Sequence, residues 1–294
     1  MHTMTIDVKP PFHFKQMANR LLKYEKSTYE ERNGALARTV RVHGMPVLIG
    51  ITYDENKQQL QAALSGELSS EQQLELKRLV RHMFSLDVDL SDFYQHVAKD
   101  TYLAPIVEQF AGTRLVREPD LFESFVKTII GQQLNMAFAG TLTKRLVELA
   151  GDRLNIDGET WFVFPTPEQV ADLDYVQLQA QQFSRRKAEY IIDLARLIVN
   201  GELDLNRLWD MPDEEVMQEL IRIRGVGRWT VECLLLFGMG RPNLLPAADV
   251  GLRNAVQKVY GFNAQPTEAE VREIGAAWSP WCSYATFYLW EYLG

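Results

Sequence analysis

The amino-acid sequence predicts an α+β fold that is mostly α, with an N-terminal antiparallel sheet and helix ahead of a larger helical region. The sheet is predicted because residues 36–42 and 47–53 are rich in strand-forming side chains and are joined by the turn residues 43–46. A second turn leads to a third strand segment near 59–64, a spacing typical of an antiparallel meander. The helical region is predicted because strand signals nearly vanish after residue 92, where helix start signals take over.

The helix starts follow capping and periodicity patterns. A helix from about Ser70 is predicted by one apolar stripe, formed by Leu76, Leu79, Val80, Met83 and Phe84. Thr166 and Thr267 each stand three residues before a Gln or Glu that can complete a capping box. Pro212 precedes three acidic residues, which the helix dipole favours at a helix N-terminus.

The composition limits the class of protein. The chain has 294 residues, enough for about two domains. Its two cysteines, Cys233 and Cys282, predict neither a disulfide framework nor a four-thiolate zinc or iron–sulfur site. Residues 1–11 lack the apolar core of a signal peptide, and no apolar run reaches the roughly 18 residues of a membrane span. We therefore expect a cytoplasmic protein without membrane contact.

Basic side chains concentrate in one segment of an acidic chain. The net charge of −8 by itself disfavours a nucleic-acid partner. Residues 221–260 nevertheless hold six basic side chains against two acidic ones: Arg222, Arg224, Arg228, Arg241, Arg253 and Lys258 against Glu232 and Asp249. Because binding depends on the local field, this segment and the basic cluster at 185–187 are candidate nucleic-acid surfaces.

The tripeptide Gly225-Val226-Gly227 separates a helix predicted to end near Arg222 from one predicted to start near Arg228. Two glycines around one aliphatic residue allow a tight turn whose amides face outward at a helix N-terminus, where a phosphate can bind. Val226 would point inward and hold the two helices together. The alternative is an ordinary corner between helices with glycines at the helix end.

Asp249 follows an apolar, proline-broken loop and precedes the next predicted helix. One interpretation is a plain N-cap, which an aspartate at a helix start commonly forms. The other is a functional carboxylate at the mouth of a DNA-binding surface. Its combination with the glycine hairpin favours the functional interpretation.

These motifs resemble the helix-hairpin-helix (HhH-GPD) DNA glycosylases, and most closely the 3-methyladenine DNA glycosylase II branch, which excises alkylated bases. The likeness covers nearly the whole chain. It rests on Gly225, Gly227, Trp229, Thr230, Pro246 and Asp249, on residues 122–123 and 129–133, on 184–188, and on 278–281 and 283–290.

The resemblance implies a mixed α/β N-terminal domain followed by two all-helical domains of the helix-hairpin-helix glycosylase fold. Residues 1–104 would form the first, and 105–294 the helical glycosylase region. Within that region, about 120–233 would form one helical domain ending in the hairpin. Residues 105–119 with 234–294 would form the other, and the active-site cleft would lie between the two.

The resemblance also implies the site residues. Asp249 would be the catalytic carboxylate, stabilising an oxocarbenium-like sugar. The base pocket would consist of Trp229, Trp290, Gln132 and Cys233, the last in place of a family tyrosine. Contacts to DNA would come from the hairpin and from the segment that fills the gap left by the flipped base: Gly225, Val226, Gly227, Arg228, Thr230, Gln133 and Leu134. The main-chain carbonyls of Ile221, Ile223 and Val226 would hold a structural Na⁺ or K⁺.

By the same resemblance the reaction would be monofunctional hydrolysis of alkylated bases from damaged double-stranded DNA, leaving an abasic site. Trp229 stands where strand-cutting relatives carry a lysine nucleophile. We expect no cofactor for catalysis, no iron–sulfur cluster, a monomer and a bacterial-type location at the nucleoid. Two alternatives stay open: an oxidised-guanine glycosylase with lyase activity, and a non-catalytic damage sensor that keeps the DNA-binding hairpin.

Overall fold

The computed structural model describes residues 2–24 and 28–294 and has the predicted α+β, mostly α architecture. Its N-terminal sheet is antiparallel throughout, in the strand order β1-β5-β4-β3-β2. The strands are β1 (His2–Asp7), β2 (Glu30–Arg32), β3 (Ala35–Val42), β4 (Met45–Asp54) and β5 (Gln59–Leu64). The predicted meander is confirmed as β3, β4 and β5, with Val40 opposite Val47. The outer strands β1 and β2 join it at the two edges.

Two helices, α1 (Phe14–Tyr24) and α2 (Ser70–Met83), contribute to the core on one face of the sheet. Ile49 of β4, Met17 of α1 and Val80 of α2 are fully buried there together. The predicted helix from Ser70 and its apolar stripe are confirmed. Burial of this stripe holds α2 in place, because an isolated helix of this length is marginal in water.

A short hairpin of β6 (Arg153–Ile156) and β7 (Glu159–Phe162) packs against the sheet through Trp161. Its turn residues Asp157 and Gly158 have φ values of 53° and 82°, as the tight hairpin turn of an Asp-Gly pair requires. This hairpin corrects the expectation that strand signals nearly vanish beyond residue 92.

The remaining chain is helical. Its helices are α3 (Ser91–Val97), α4 (Ala104–Gln109), α5 (Leu121–Gly131), α6 (Met136–Ala150), α7 (Pro167–Ala171), α8 (Tyr175–Ala180), α9 (Arg185–Val199), α10 (Asp213–Leu220), α11 (Arg228–Cys233), α12 (Val250–Tyr260), α13 (Glu268–Gly275) and α14 (Cys282–Leu293). Short 3₁₀ turns lie at Arg207–Asp210 and Ala276–Trp278, and a π-helical segment, Leu234–Met239, continues α11. Both predicted capping boxes, at Thr166 and Thr267, are formed.

Two hydrophobic cores organise these helices. One gathers apolar side chains of α5, α6, α9, α10 and α11. The other gathers α3, α4, α12 and α14, and in it Phe93 of α3 lies 5.4 Å from Tyr288 between ring centroids. The C-terminal helix α14 therefore packs against residues 90–107. Within the described ranges, none of the helices is both long and apolar enough to cross a membrane.

Candidate functional site

The glycine hairpin joins α10 to α11, as the sequence predicts. Gly225 has a φ of +88°, and a Cβ there would lie 2.3 Å from ring carbons of Tyr190. Gly225 is therefore required by the fold, both by its left-handed backbone and by the tyrosine ring against it. Val226 is buried in the helical core, so its predicted inward position is confirmed.

Gly227 differs from Gly225. It is the N-cap of α11 with a φ of −106°, which any residue can adopt, and a Cβ there would have no neighbour within 4 Å. The fold does not require glycine at this exposed position. Its bare backbone instead leaves an open approach to the N-terminus of a helical run that extends through Met239.

Gln132 joins the end of α5 to the hairpin. Its Nε2 donates to the carbonyl oxygen of Gly225 and to Oγ1 of Thr230, both at 2.9 Å. The sequence assigned Gln132 to the base pocket, but in the structure its amide contacts the hairpin. Thr230, expected at the DNA surface, has a buried side chain, whereas Arg228 is exposed.

The turn after α5 is held by Lys187 of α9. Its ammonium donates to the carbonyl oxygens of Ile129, Ile130 and Gln132, at 2.8, 2.6 and 2.7 Å. Burial lowers the pKa of Lys187 to about 8. The turn that it holds presents Gln133, which is exposed and has a φ of +57°, whereas Leu134 packs against the helical core.

Asp249 is the N-cap of α12, and its Oδ1 accepts a hydrogen bond from the amide of Leu252 at 2.8 Å. The N-cap interpretation is therefore confirmed, but the carboxylate has two further donors. Nε1 of Trp229 donates to Oδ2 at 3.1 Å, and Nε1 of Trp290 donates to Oδ1 at 3.2 Å. A carboxylate that accepts from three N–H donors is fixed in orientation.

Trp229, which donates to this carboxylate, also lines a cleft of about 200 Å³. Trp229, Cys233 and Phe237 line it from three successive turns of α11 and its π-helical continuation. Trp290 stacks on Phe237 with ring centroids 5.7 Å apart and an interplanar angle of 18°. Burial, with the nearby carboxylate of Asp249, raises the pKa of the Cys233 thiol, so the thiol stays protonated at neutral pH.

Charged side chains from α1, from α5 and from the segment between α4 and α5 also line the cleft, among them Arg20, Lys127 and Glu118. Nη1 of Arg20 lies 2.6 Å from Oε1 of Glu291, and Lys127 pairs with Glu118. Burial alone would raise the pKa of Glu118, but the cations of Lys127 and Arg38 hold it below its ordinary value. Two ion pairs therefore contribute side chains to the cleft lining.

A larger cavity, of about 420 Å³, lies between the sheet, α6 and the β6–β7 hairpin. The described residues that line it include none of the predicted site residues. We assign the site to the smaller cleft because that cleft adjoins Asp249 through Trp229.

Sequence reasoning did not identify Phe237, Phe287 or Arg20 as lining the cleft. Phe237 could have been found, because positions 229, 233 and 237 recur at helical spacing on one face. Arg20 and Phe287 carry no such signal, since they approach from helices distant in the sequence.

Comparison with known proteins identifies the class. A model described as the HhH-GPD superfamily base excision DNA repair protein matches residues 126–280, and the AlkA N-terminal domain matches residues 3–120. The chain therefore belongs to the HhH-GPD superfamily of base excision DNA repair proteins.

Individual relatives extend over nearly the whole chain. The DNA-3-methyladenine glycosylase of Bacillus subtilis (strain 168) is 35% identical over 267 residues, which cover 90% of this chain and 88% of the relative. The protein YfjP of the same organism, provisionally named a DNA-3-methyladenine glycosylase, is 38% identical over 291 residues and 97% of each chain. The structure of the 3-methyladenine DNA-glycosylase from Archaeoglobus fulgidus has a TM-score of 0.87 at 24% identity over 98% of each chain. At that identity the last likeness establishes the fold.

Proposed function

We propose that this protein is a monofunctional DNA glycosylase. It flips an alkylated base, such as 3-methyladenine or 7-methylguanine, out of double-stranded DNA and hydrolyses the N-glycosidic bond, leaving an abasic site. The observation that carries the proposal is the carboxylate of Asp249, held by the indole N–H groups of Trp229 and Trp290 beside an aromatic cleft.

The carboxylate supplies the negative charge that the reaction needs. As the bond between C1′ and the base nitrogen breaks, positive charge develops on the sugar. Asp249 stabilises that charge and orients the attacking water. Hydrogen bonds to a charged group are each worth about 1.5–3 kcal/mol, so the two indoles keep the carboxylate in place during the reaction.

The aromatic wall of the cleft suits an alkylated base. Methylation of a purine at N3 or N7 makes the base cationic, and a cation over an aromatic ring gains about 0.5–2 kcal/mol. Trp229 and Phe237 offer such rings, and Trp290 stacks on Phe237. Base flipping is necessary because the enzyme cannot reach the damaged base and its N-glycosidic bond while the base is stacked inside the duplex.

The hairpin holds the DNA backbone. The open approach at Gly227 lets a phosphate contact main-chain amides without a side chain between them. Gln133 is proposed to fill the gap left by the flipped nucleotide, because it is exposed on a turn that Lys187 fixes. Such contacts position the enzyme without reading sequence.

A monovalent cation at the hairpin is part of the proposal. Ile221 caps the end of α10, where helix carbonyls lack intrahelical partners, and the carbonyl of Ile223 accepts a hydrogen bond from the amide of Val226. The main-chain carbonyl oxygens of Ile221, Ile223 and Val226 are ligands that suit Na⁺ or K⁺. We propose no other cofactor and a monomer acting on damaged duplex DNA.

Hydrolysis without strand cleavage is favoured by Trp229, whose indole occupies the position expected of a lyase lysine and donates to Asp249. Borohydride reduction during turnover tests this point. A trapped covalent enzyme–DNA adduct would replace the proposal with a lyase, such as an oxidised-guanine glycosylase.

The decisive experiment measures base release from methylated duplex DNA by wild-type protein and by Asp249→Asn. Asparagine keeps the N-cap but not the charge, so we expect release to fall by about a hundredfold or more while binding to abasic-analogue DNA persists. Asp174→Asn makes the same change at the N-cap of α8, outside the cleft lining, and should release bases at the wild-type rate. Full release by Asp249→Asn would overturn the mechanism, and absence of release by the wild type would favour a damage sensor.

A further inference from the structure

The base cleft is lined by one cationic side chain from helix α1 near the N-terminus. Arg20 of α1 lines the cleft together with Trp229, Phe237 and Phe287, and its side chain is 24% exposed. Its guanidinium lies 5.5 Å from the centroid of the Phe287 ring. The aromatic surface proposed to receive the base therefore has a fixed positive charge at its edge.

The position of this guanidinium is set by Glu291, the residue after Trp290. Glu291 is buried, its Oε1 lies 2.6 Å from Nη1 of Arg20, and its Oε2 accepts from Nε2 of Gln16 at 3.2 Å. An arginine has five N–H donors in a rigid fork, so pairing with one carboxylate oxygen leaves others to bind a ligand. Because Trp290 donates to Asp249, adjacent residues of α14 connect the two charged groups.

We propose that Arg20 is a specificity-determining residue that favours release of neutral damaged bases over cationic ones. The inference rests on the proposed glycosylase function and concerns the same site. When the C1′–N bond of a neutral base breaks, its electron pair leaves with the base, which becomes an anion. That anion then takes the proton given up by the attacking water, whose oxygen bonds to C1′. Arg20 stabilises the departing anion with a charged hydrogen bond.

A base methylated at N3 or N7 gains nothing from this contact. The electron pair of its broken bond neutralises the positive charge that it already carries, so no anion forms. Before the bond breaks, the cation of Arg20 repels the cationic base, although its pairing with Glu291 reduces that repulsion. The two substrate classes therefore place opposite demands on one residue, and a purely structural role would affect both alike.

The test compares single-turnover release of hypoxanthine, a neutral base, with release of 7-methylguanine from duplexes of the same sequence. For Arg20→Gln we expect hypoxanthine release to fall at least about tenfold relative to 7-methylguanine release, since loss of one donor to developing charge costs about a hundredfold or more in a closed site. Arg20→Lys should restore part of the difference because it retains the charge.

Two further variants separate this role from support of the fold. Lys23→Gln removes a charge from the same helix, where Lys23 contacts the carbonyl of Gly294 and does not line the cleft, and it should leave both rates unchanged. If Arg20→Gln fails to fold because Glu291 is left buried without its partner, the double variant Arg20→Gln/Glu291→Gln removes both charges and should show the same selective loss.

Equal loss of both rates, or no change in their ratio, overturns the role of Arg20 and leaves the proposed function intact. A wild-type enzyme that releases 7-methylguanine but no hypoxanthine also overturns it. If wild-type protein releases neither base nor any other alkylated base, the proposed function itself fails.

Discussion

Gly225 and Gly227, two residues apart in the hairpin, should respond in opposite ways to substitution by alanine. At Gly225 the φ of +88° costs an alanine about 1–2 kcal/mol. The new Cβ would also lie 2.3 Å from ring carbons of Tyr190, and moving a packed ring costs about 1–3 kcal/mol. We therefore expect Gly225→Ala to lower the free energy of unfolding by about 2–5 kcal/mol.

Gly227→Ala has a different expected result. The φ of −106° is open to alanine and the Cβ meets no neighbour, and the gain from a less flexible unfolded chain is offset because alanine is a poorer N-cap than glycine. Stability should therefore stay within about 1 kcal/mol of wild type. The same Cβ would stand where a phosphate approaches the main-chain amides. Loss of one hydrogen bond to a charged group weakens binding by about tenfold to a hundredfold.

Urea denaturation and fluorescence anisotropy with abasic-analogue duplexes measure the two effects separately. Tyr190→Ala provides the control, because it removes the ring that the new Cβ would meet. The double variant Gly225→Ala/Tyr190→Ala should therefore be less stable than Tyr190→Ala by only the backbone cost of about 1–2 kcal/mol. If Gly227→Ala unfolds as readily as Gly225→Ala, or if it binds DNA as tightly as wild type, the assignment of distinct roles to the two glycines is wrong.

Two further predictions concern the turn after α5. Lys187→Met should weaken DNA binding by releasing the turn. The pKa of Lys187 is about 8 in the folded protein and 10.5 in its ordinary state, so between these pH values the folded protein binds fewer protons than the unfolded chain. The free energy of unfolding of the wild type should therefore rise with pH across that window, compared with Lys187→Met. Equal pH profiles of the two proteins in urea denaturation would contradict this. Gln133→Ala should slow base release with little loss of stability, whereas Leu134→Ala should mainly destabilise the fold, since Leu134 packs on the core. Single-turnover release and urea midpoints distinguish the two, and a Gln133→Ala enzyme with wild-type release would exclude it as the wedge.

Local chemistry made several elements predictable from the sequence. The meander of β3 to β5 follows from alternating strand residues and turns, and the capped helix starts follow from hydrogen bonds between residues three apart. The β6–β7 hairpin has an Asp-Gly turn signal, but its four-residue strands carry too little apolar patterning to stand out. It is stabilised by packing of Trp161 on the sheet, which is a long-range contact.

The sequence by itself determined the hairpin and the N-cap position of Asp249, and by family resemblance it selected Trp229 and Trp290 as residues of the base pocket. Only the tertiary structure decided what these side chains do to one another. Both indoles donate to Asp249, Gln132 contacts the hairpin and Trp290 stacks on Phe237 rather than lining the cleft, and Arg20 is one of the lining residues. The physical reason is that capping and turn formation depend on neighbours within a few residues, whereas the cleft forms where helices distant in sequence meet. Arg20 and Glu291 stand at opposite ends of the chain, and burial of the cores between them brings their charges to 2.6 Å.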